Sequence, residues 1–213
     1  MIIAVDGPAA SGKGTIARAL ARHYDLPHLD TGLLYRAVAA TVLRHELNPA
    51  KEADAVAACD FDDLLLADPA LRDDEIGKVA SIVSAHPLVR AALLQRQKRF
   101  AAQEDGAVLD GRDIGTVIAP NADAKLFVKA TPTIRARRRH SELQARGASL
   151  TFDQVLADIR ARDQRDSTRS TAPLVPASDA ALLDTSFLSI EAAVQKAIDL
   201  VEAARARKAA ANA

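Results

Sequence analysis

An α/β fold, a parallel sheet flanked by helices, is the class this sequence predicts, and three observations predict it. A five-residue apolar run, Met1 to Val5, leads through a glycine-rich stretch into a helical pattern of Ile16, Ala17, Leu20 and Ala21. Short apolar strands then alternate with amphipathic segments of helix length along the rest of the chain. At 213 residues, 49% hydrophobic and 26% charged, the chain is long enough for one such domain with an insertion. Formal net charge is +0, so no global field recruits nucleic acid or an anionic membrane. A single cysteine, Cys59, excludes an intrachain disulfide and reads as a small packing residue in a reduced, cytosolic chain. The apolar run at the start ends at Asp6, short of a signal peptide or a spanning helix, so a cytoplasmic protein is expected.

The first element carries the clearest chemistry. Gly7-Pro8-Ala9-Ala10-Ser11-Gly12-Lys13-Gly14-Thr15 lies between strand and helix, the context that a phosphate-cradling loop requires. Gly7 and Gly12 allow a tight turn with backbone N–H groups pointing inward, and the helix start adds positive potential. Lys13 supplies a mobile charge for the β and γ oxygens of a polyphosphate. The usual pattern has Ser or Thr directly after the lysine; here Gly14 stands there and the hydroxyl moves to Thr15.

Next, Leu26 to Asp30 reads as a short strand, and Thr31-Gly32 opens a helix through about Glu46. Asp30 and Thr31 thus sit at a strand's carboxyl end, where open parallel sheets bind ligands, with Tyr35 and Arg36 about a turn on. Thr31 reads equally as a helix cap and Arg36 as a solvated charge. Residues 48–75 hold nine acids against two bases and carry Pro49 and Pro69; they read as a surface insertion, helical around Glu52 to Cys59, with a solvated acidic face. A helix with Ser81 and Ser84 follows from Ile76 to Ala85, and Pro87 opens another, containing Arg90, to about Glu104.

Ala107 to Thr116 is a short apolar strand ending in Asp110, followed by Gly111-Arg112-Asp113-Ile114-Gly115-Thr116. Asp110 reads as a carboxylate that orders magnesium or its waters, or as an aspartate that merely ends a strand. Ala124 to Val128 is the next strand. Residues 131–170 then gather nine arginines against five acids, on helices about Thr133 to Ala145 and Phe152 to Thr168, the second opened by the pair Thr151 and Gln154. Guanidinium groups on such a hairpin suit a lid over transferring phosphates. Arg162, Asp166 and Arg169 share one helical face, which fits a salt-bridge ladder and a ligand-reading surface equally well. A strand Ala181 to Asp184 and a long helix from Ser189 complete the core, with Arg205 to Ala213 expected to fray.

The loop at 7–15, Leu29-Asp30-Thr31-Gly32 with Tyr35-Arg36, Asp110-Gly111-Arg112-Asp113-Ile114-Gly115-Thr116, Arg162 to Asp166 with Arg169, and Ala172-Pro173-Leu174 occur in one order. Together they resemble the bacterial cytidylate kinases, a nucleoside monophosphate kinase family, along nearly the whole chain; the G-K-G-T variant of the loop is shared by that class. The resemblance implies a P-loop NTPase-type core over residues 1–47 and 105–213, an Arg-rich lid at about 139–152 and a CMP-binding insertion at 48–104. Between about Phe61 and Gly77 the chain is too short for the small antiparallel sheet of the longer members. The resemblance further implies ATP on Gly7 to Thr15, with Mg2+ met by Thr15 and Asp110 through water rather than directly. It places CMP or dCMP on Thr31, Arg36, Ser81, Arg90, Asp110, Arg112, Asp113, Arg162, Asp166 and Arg169. Arg36, Arg90 and Arg112 would hold the acceptor phosphate; Ser81, Asp113 and Arg169 would read the base; Arg162 and Asp166 would hold the ribose. Lys13, Arg112 and Asp110 are the expected catalytic groups. A monomer acting on small molecules alone is expected. The rival readings are a small-metabolite kinase of the shikimate or gluconate type, with Asp30 as a base, and a nucleotide-binding switch without phosphoryl transfer.

Overall fold

The computed structural model describes residues 1–211; Asn212 and Ala213, the end of the tail expected to fray, lie outside the described residues. The chain divides into two compact units, residues 1–29 with 100–213, and residues 30–99.

The first unit is built on a five-stranded sheet in the order β2-β3-β1-β4-β5. Its strands are β1 (Ile2–Asp6), β2 (His28–Asp30), β3 (Ala107–Gly111), β4 (Ala124–Lys129) and β5 (Ala181–Asp184). β1 runs parallel to both β3 and β4, and β4 parallel to β5, with Val5 opposite Asp110 on one side and Leu126 on the other. Strands buried on both faces need continuous apolar runs, and Ile3, Ala4, Val5, Val108, Leu109 and Leu126 are all sealed from solvent. Against Ile3, Val5, Val108 and Val128 pack Ile16, Leu20 and Ala21 of α1 (Lys13–Tyr24), and with them Ala193, Ala197 and Val201 of α8 (Ile190–Ala211). α8 runs to Ala211; along its last turns Arg205 pairs with Glu202 one turn back and Lys208 reaches Asp123 at 2.6 Å.

Two further helices of this unit, α6 (Pro132–Ala145) and α7 (Phe152–Thr168), form a hairpin around Ala136, Leu143, Val155 and Ile159. Thr151 closes the predicted capping box with Gln154: its hydroxyl accepts from the Gln154 amide, and the Gln154 side chain accepts from the Thr151 amide. Pro132 occupies the first turn of α6, where its missing N–H costs nothing.

The second unit consists of α2 (Thr31–Arg44), α3 (Glu52–Ala57), α4 (Asp74–Val83) and most of α5 (Pro87–Ala101). Leu34, Val38 and Val42 of α2 pack with Ala55, Val79, Val83, Val89 and Leu93. Asp30, not Thr31, caps α2, its Oδ1 accepting from the Gly32 amide at 3.0 Å. An aspartate is the better cap and already lies in extended backbone, so Thr31 becomes the first helical residue. Residues 63–67 and 69–72 form two 3₁₀ turns started by Asp62 and Asp68, whose carboxylates accept the amides of Leu64 and Ala70.

Candidate active site

β1 delivers the chain directly into the phosphate-type loop. A Cβ on Gly7 would sit 2.1 Å from the Val128 carbonyl oxygen, so no other residue fits there. Gly12 stands in left-handed backbone (φ 89) immediately before α1, and Ala10 is left-handed too (φ 57). Lys13 is the first helical residue, and no acid in the first turn neutralises the helix's positive end.

β3 brings Asp110 to the same helix start. Its carboxylate is 2% exposed, and Oδ2 lies 3.6 Å from where a Cβ on Gly14 would be. His28 Nε2 meets Asp110 Oδ1 at 2.8 Å and holds the carboxylate in place.

Past β3 the chain makes a wide turn, Ile114–Ile118, in which Ile118 and Ala119 donate to carbonyls five residues back. Asp6, at the end of β1, anchors that turn: Oδ1 and Oδ2 accept the amides of Ile114 and Gly115, each at 2.8 Å. Burial pushes the Asp6 carboxyl up to about 6, against the two amides that pull it down.

Arg112 and Asp113 precede the turn, and both find partners near the end of α7. Arg112 Nε donates to Asp166 Oδ2 at 2.8 Å, and Arg169 Nη2 lies 3.8 Å from Asp113 Oδ1. Burial raises the Asp166 carboxyl, but the charges of Arg112 and Arg162, the Arg112 hydrogen bond and the Arg169 charge bring it below the usual carboxylate range. Five predicted residues, Arg112, Asp113, Arg162, Asp166 and Arg169, therefore come together. Asp166 also pairs with Arg112 across the unit, and Arg169 is the extended C-cap of α7 (φ −62, ψ 142), so the contacts of this face extend beyond a ladder within one helix. The following Ala172-Pro173-Leu174 folds back, with the Leu174 amide donating to Asp166 O at 2.8 Å and Arg169 Nε to Ala172 O at 2.7 Å.

The arginines of the α6–α7 hairpin divide in two. Arg137, Arg146, Arg160 and Arg165 are exposed, whereas Arg135 and Arg138 face protein groups. Arg135 is 3% exposed, paired with Asp163 of α7, and donates to Ala130 O and to Ala9 O of the phosphate-type loop. Composition alone does not reveal that Arg135 and Arg138 are tied to protein groups.

The remaining predicted residues belong to the second unit. Arg36 Nη1 donates to Leu71 O at 2.6 Å and Asp73 O at 3.0 Å, and its guanidinium covers Gly77, where a Cβ would lie 2.8 Å from Nη2. Ser81, one turn after Gly77 on α4, is 2% exposed and Thr31 is 4% exposed. Arg90 of α5 lies over the Tyr35 ring, 5.6 Å from its centre, and donates to Ser84 O at 3.4 Å.

Sequence reasoning passed over Asp6, His28 and Thr185, whose partners lie 108, 82 and 174 positions away. Only Asp6 had a local signal, a charge ending an otherwise apolar strand.

A family model described as cytidylate kinase matches residues 3–203. The chain is 60% identical over 206 residues to a cytidylate kinase of Xanthobacter autotrophicus, covering 97% of this chain and 99% of that one. It is 56% identical over 207 residues to one of Rhodopseudomonas palustris, covering 97% and 98%. Among solved structures, an uncharacterized protein from Eubacterium ventriosum aligns over 95% of this chain and 98% of its own, with TM-score 0.54 and 17% identity, which speaks for the fold alone. The motifs spaced along the sequence, the loop with its facing aspartate and a match of this extent agree: the chain belongs to the cytidylate kinase family.

Proposed function

We infer that the chain transfers the γ-phosphate of ATP to CMP or dCMP, giving ADP and CDP or dCDP. The observation that carries this is the Asp110 carboxylate facing the helix start behind Lys13, with the Arg112–Asp166 and Arg169–Asp113 pairs on the same unit. That arrangement supplies a polyphosphate cradle and, beside it, polar side chains suited to a ribose and a base edge.

The acceptor explains why no general base is needed. A nucleoside monophosphate has a second phosphate pKa of about 6, so its oxygen is already a nucleophile at neutral pH. The difficulty is repulsion between two anionic phosphates, and catalysis consists of bringing them into line and offsetting their charge. Lys13 and the loop amides act on the donor; the family resemblance assigns Arg36, Arg90 and Arg112 to the acceptor phosphate. Ser81, Asp113 and Arg169 read the cytosine edge, and Asp166, its charge stabilised by Arg112 and Arg162, accepts from the ribose hydroxyls. In this reading a Mg2+ would be carried by the phosphates, with Thr15 and Asp110 reaching it through water. Such an ion would offset charge on the β and γ oxygens. In this reading residues 48–104 carry the monophosphate and residues 139–152 form the lid. On the same reading the protein works in the cytoplasm, as a monomer, on small molecules.

ADP release measured against CMP, dCMP, UMP, AMP and shikimate tests the reading: activity with the cytidine nucleotides supports it, and none with either overturns it. Lys13→Ala should lower kcat by at least about a hundredfold while moving the KM for CMP little. An equal effect on both would remove Lys13 from transition-state stabilisation.

A further inference from the structure

The loop at residues 7–12 is held from behind by side chains from distant parts of the sequence. Ala10 and Gly12 both lie in left-handed backbone, a conformation that a residue such as alanine keeps only when its surroundings enforce it. In a trans peptide the carbonyl of one residue and the N–H of the next point opposite ways. A loop that aims the amides of Ala10 and Gly12 at a phosphate must therefore turn the carbonyls of Ala9 and Ser11 away from it.

Those two carbonyls are met by protein donors. Arg135 Nη1 donates to Ala9 O at 3.2 Å and Arg138 Nη1 to Ser11 O at 3.3 Å. The Thr185 hydroxyl, on a side chain 2% exposed, lies 2.9 Å from Ser11 O and 3.3 Å from Lys129 O. A threonine has one hydroxyl hydrogen, and the shorter, buried contact to Ser11 takes it. Its oxygen then accepts from Arg138 Nη1 at 3.0 Å, while Arg138 Nη2 donates to the Thr185 carbonyl at 2.7 Å. The Thr185 amide donates to Lys129 O at 2.9 Å, continuing the β4–β5 pairing, so the hydroxyl is delivered by the sheet itself.

We propose that Thr185, backed by Arg138, is a positioning residue for the triphosphate: it holds the Ser11 carbonyl outward and so keeps the Gly12 amide directed at the donor phosphates. The two side chains touch the loop rather than the substrate. Withdrawal of electron density from the Ser11 carbonyl by a hydroxyl and a guanidinium also makes the Gly12 N–H a stronger donor, since hydrogen bonds in series polarise one another. The proposal rests on the reading of residues 7–15 as the ATP loop.

Thr185→Val keeps the shape and removes the hydroxyl; Thr185→Ser keeps the hydroxyl. With ATP and CMP varied in turn, Thr185→Val should raise the KM for ATP roughly five- to tenfold and leave the KM for CMP unchanged, and Thr185→Ser should stay within about twofold of wild type. A wild-type KM for ATP in Thr185→Val, equal rises in both KM values, or a serine variant as impaired as the valine one overturns the proposal. Should Thr185→Val fail to fold, Arg138→Lys replaces it. Lysine cannot reach the Thr185 carbonyl and hydroxyl together as a fork does, so an unchanged KM for ATP there also overturns the proposal. Calorimetric binding of ATP to the wild-type chain separates the two levels: no binding removes the ATP-loop reading and the proposal with it, whereas binding with an indifferent Thr185→Val removes the proposal alone.

Discussion

Asp6 and Asp166 are both buried carboxylates of the first unit, yet their surroundings move them in opposite directions. Asp6 meets two amides, the neighbouring acid Asp113 and the smallest of these effects, the pull of Arg112, so burial prevails and raises it to about 6. Asp166 meets Arg112, Arg162 and Arg169, which outweigh burial and lower it. The sign for stability follows: a carboxyl lowered in the folded state binds its proton more readily when unfolded. Its stabilisation is therefore present above the ordinary carboxylate pKa, 3.8, and lost as pH falls through the lower folded value. Asp166→Asn should accordingly cost about 1–3 kcal/mol at pH 7 and much less below pH 3.8, read from urea midpoints at the two pH values. An equal cost at both would mean that Asp166 acts through packing rather than charge. At this scale the sequence was legible as residue types in order, and the partners of Arg112, Asp166 and Arg169 across the unit were not. Those partners are set by the folding back of Ala172 to Leu174 and the meeting of β3 with the end of α7, neither of which leaves a periodic trace.

Elements were legible wherever their own ends and faces define them. The capping box at Thr151 and Gln154, Pro87 at the start of α5 and the apolar stripe of α1 act within a turn or two, so their signals are local. The wide turn at Ile114–Ile118 was invisible because Asp6, which holds it, belongs to another element 108 residues earlier. α4 shows how an element can serve a site through a missing side chain. Gly77 leaves room for the Arg36 guanidinium, which a Cβ would approach to 2.8 Å. The obstruction is the far end of a flexible side chain, so Gly77→Ala should displace Arg36 rather than the helix. Alanine is favoured over glycine inside a helix by about 1 kcal/mol, and the melting temperature should not fall. The KM for CMP should nevertheless rise by roughly fivefold or more; steady-state kinetics with thermal unfolding checks both. An unchanged KM for CMP would detach Arg36 from the acceptor phosphate.

For the molecule as a whole, ligand binding and stability are linked. CMP at a hundred times its dissociation constant should add about 2.7 kcal/mol to the unfolding free energy, equivalent to a rise of roughly 5–10 °C in Tm for a chain of this size. Calorimetry is the measurement of choice, since the chain contains 0 tryptophans, and a Tm indifferent to CMP would count against the acceptor assignment. The fold class was legible from alternating strands and helices, while the sheet order was not, because pairings of this span are written in tertiary packing alone. That order places β1, made before both of its neighbours, in the interior, between residues 107–111 and 124–129. During synthesis neither flank of Ile2–Asp6 can be satisfied until the ribosome has passed those positions. At about 5–20 residues per second this apolar segment waits on the order of ten seconds, with the Asp6 charge as its built-in deterrent to pairing with a neighbouring nascent chain.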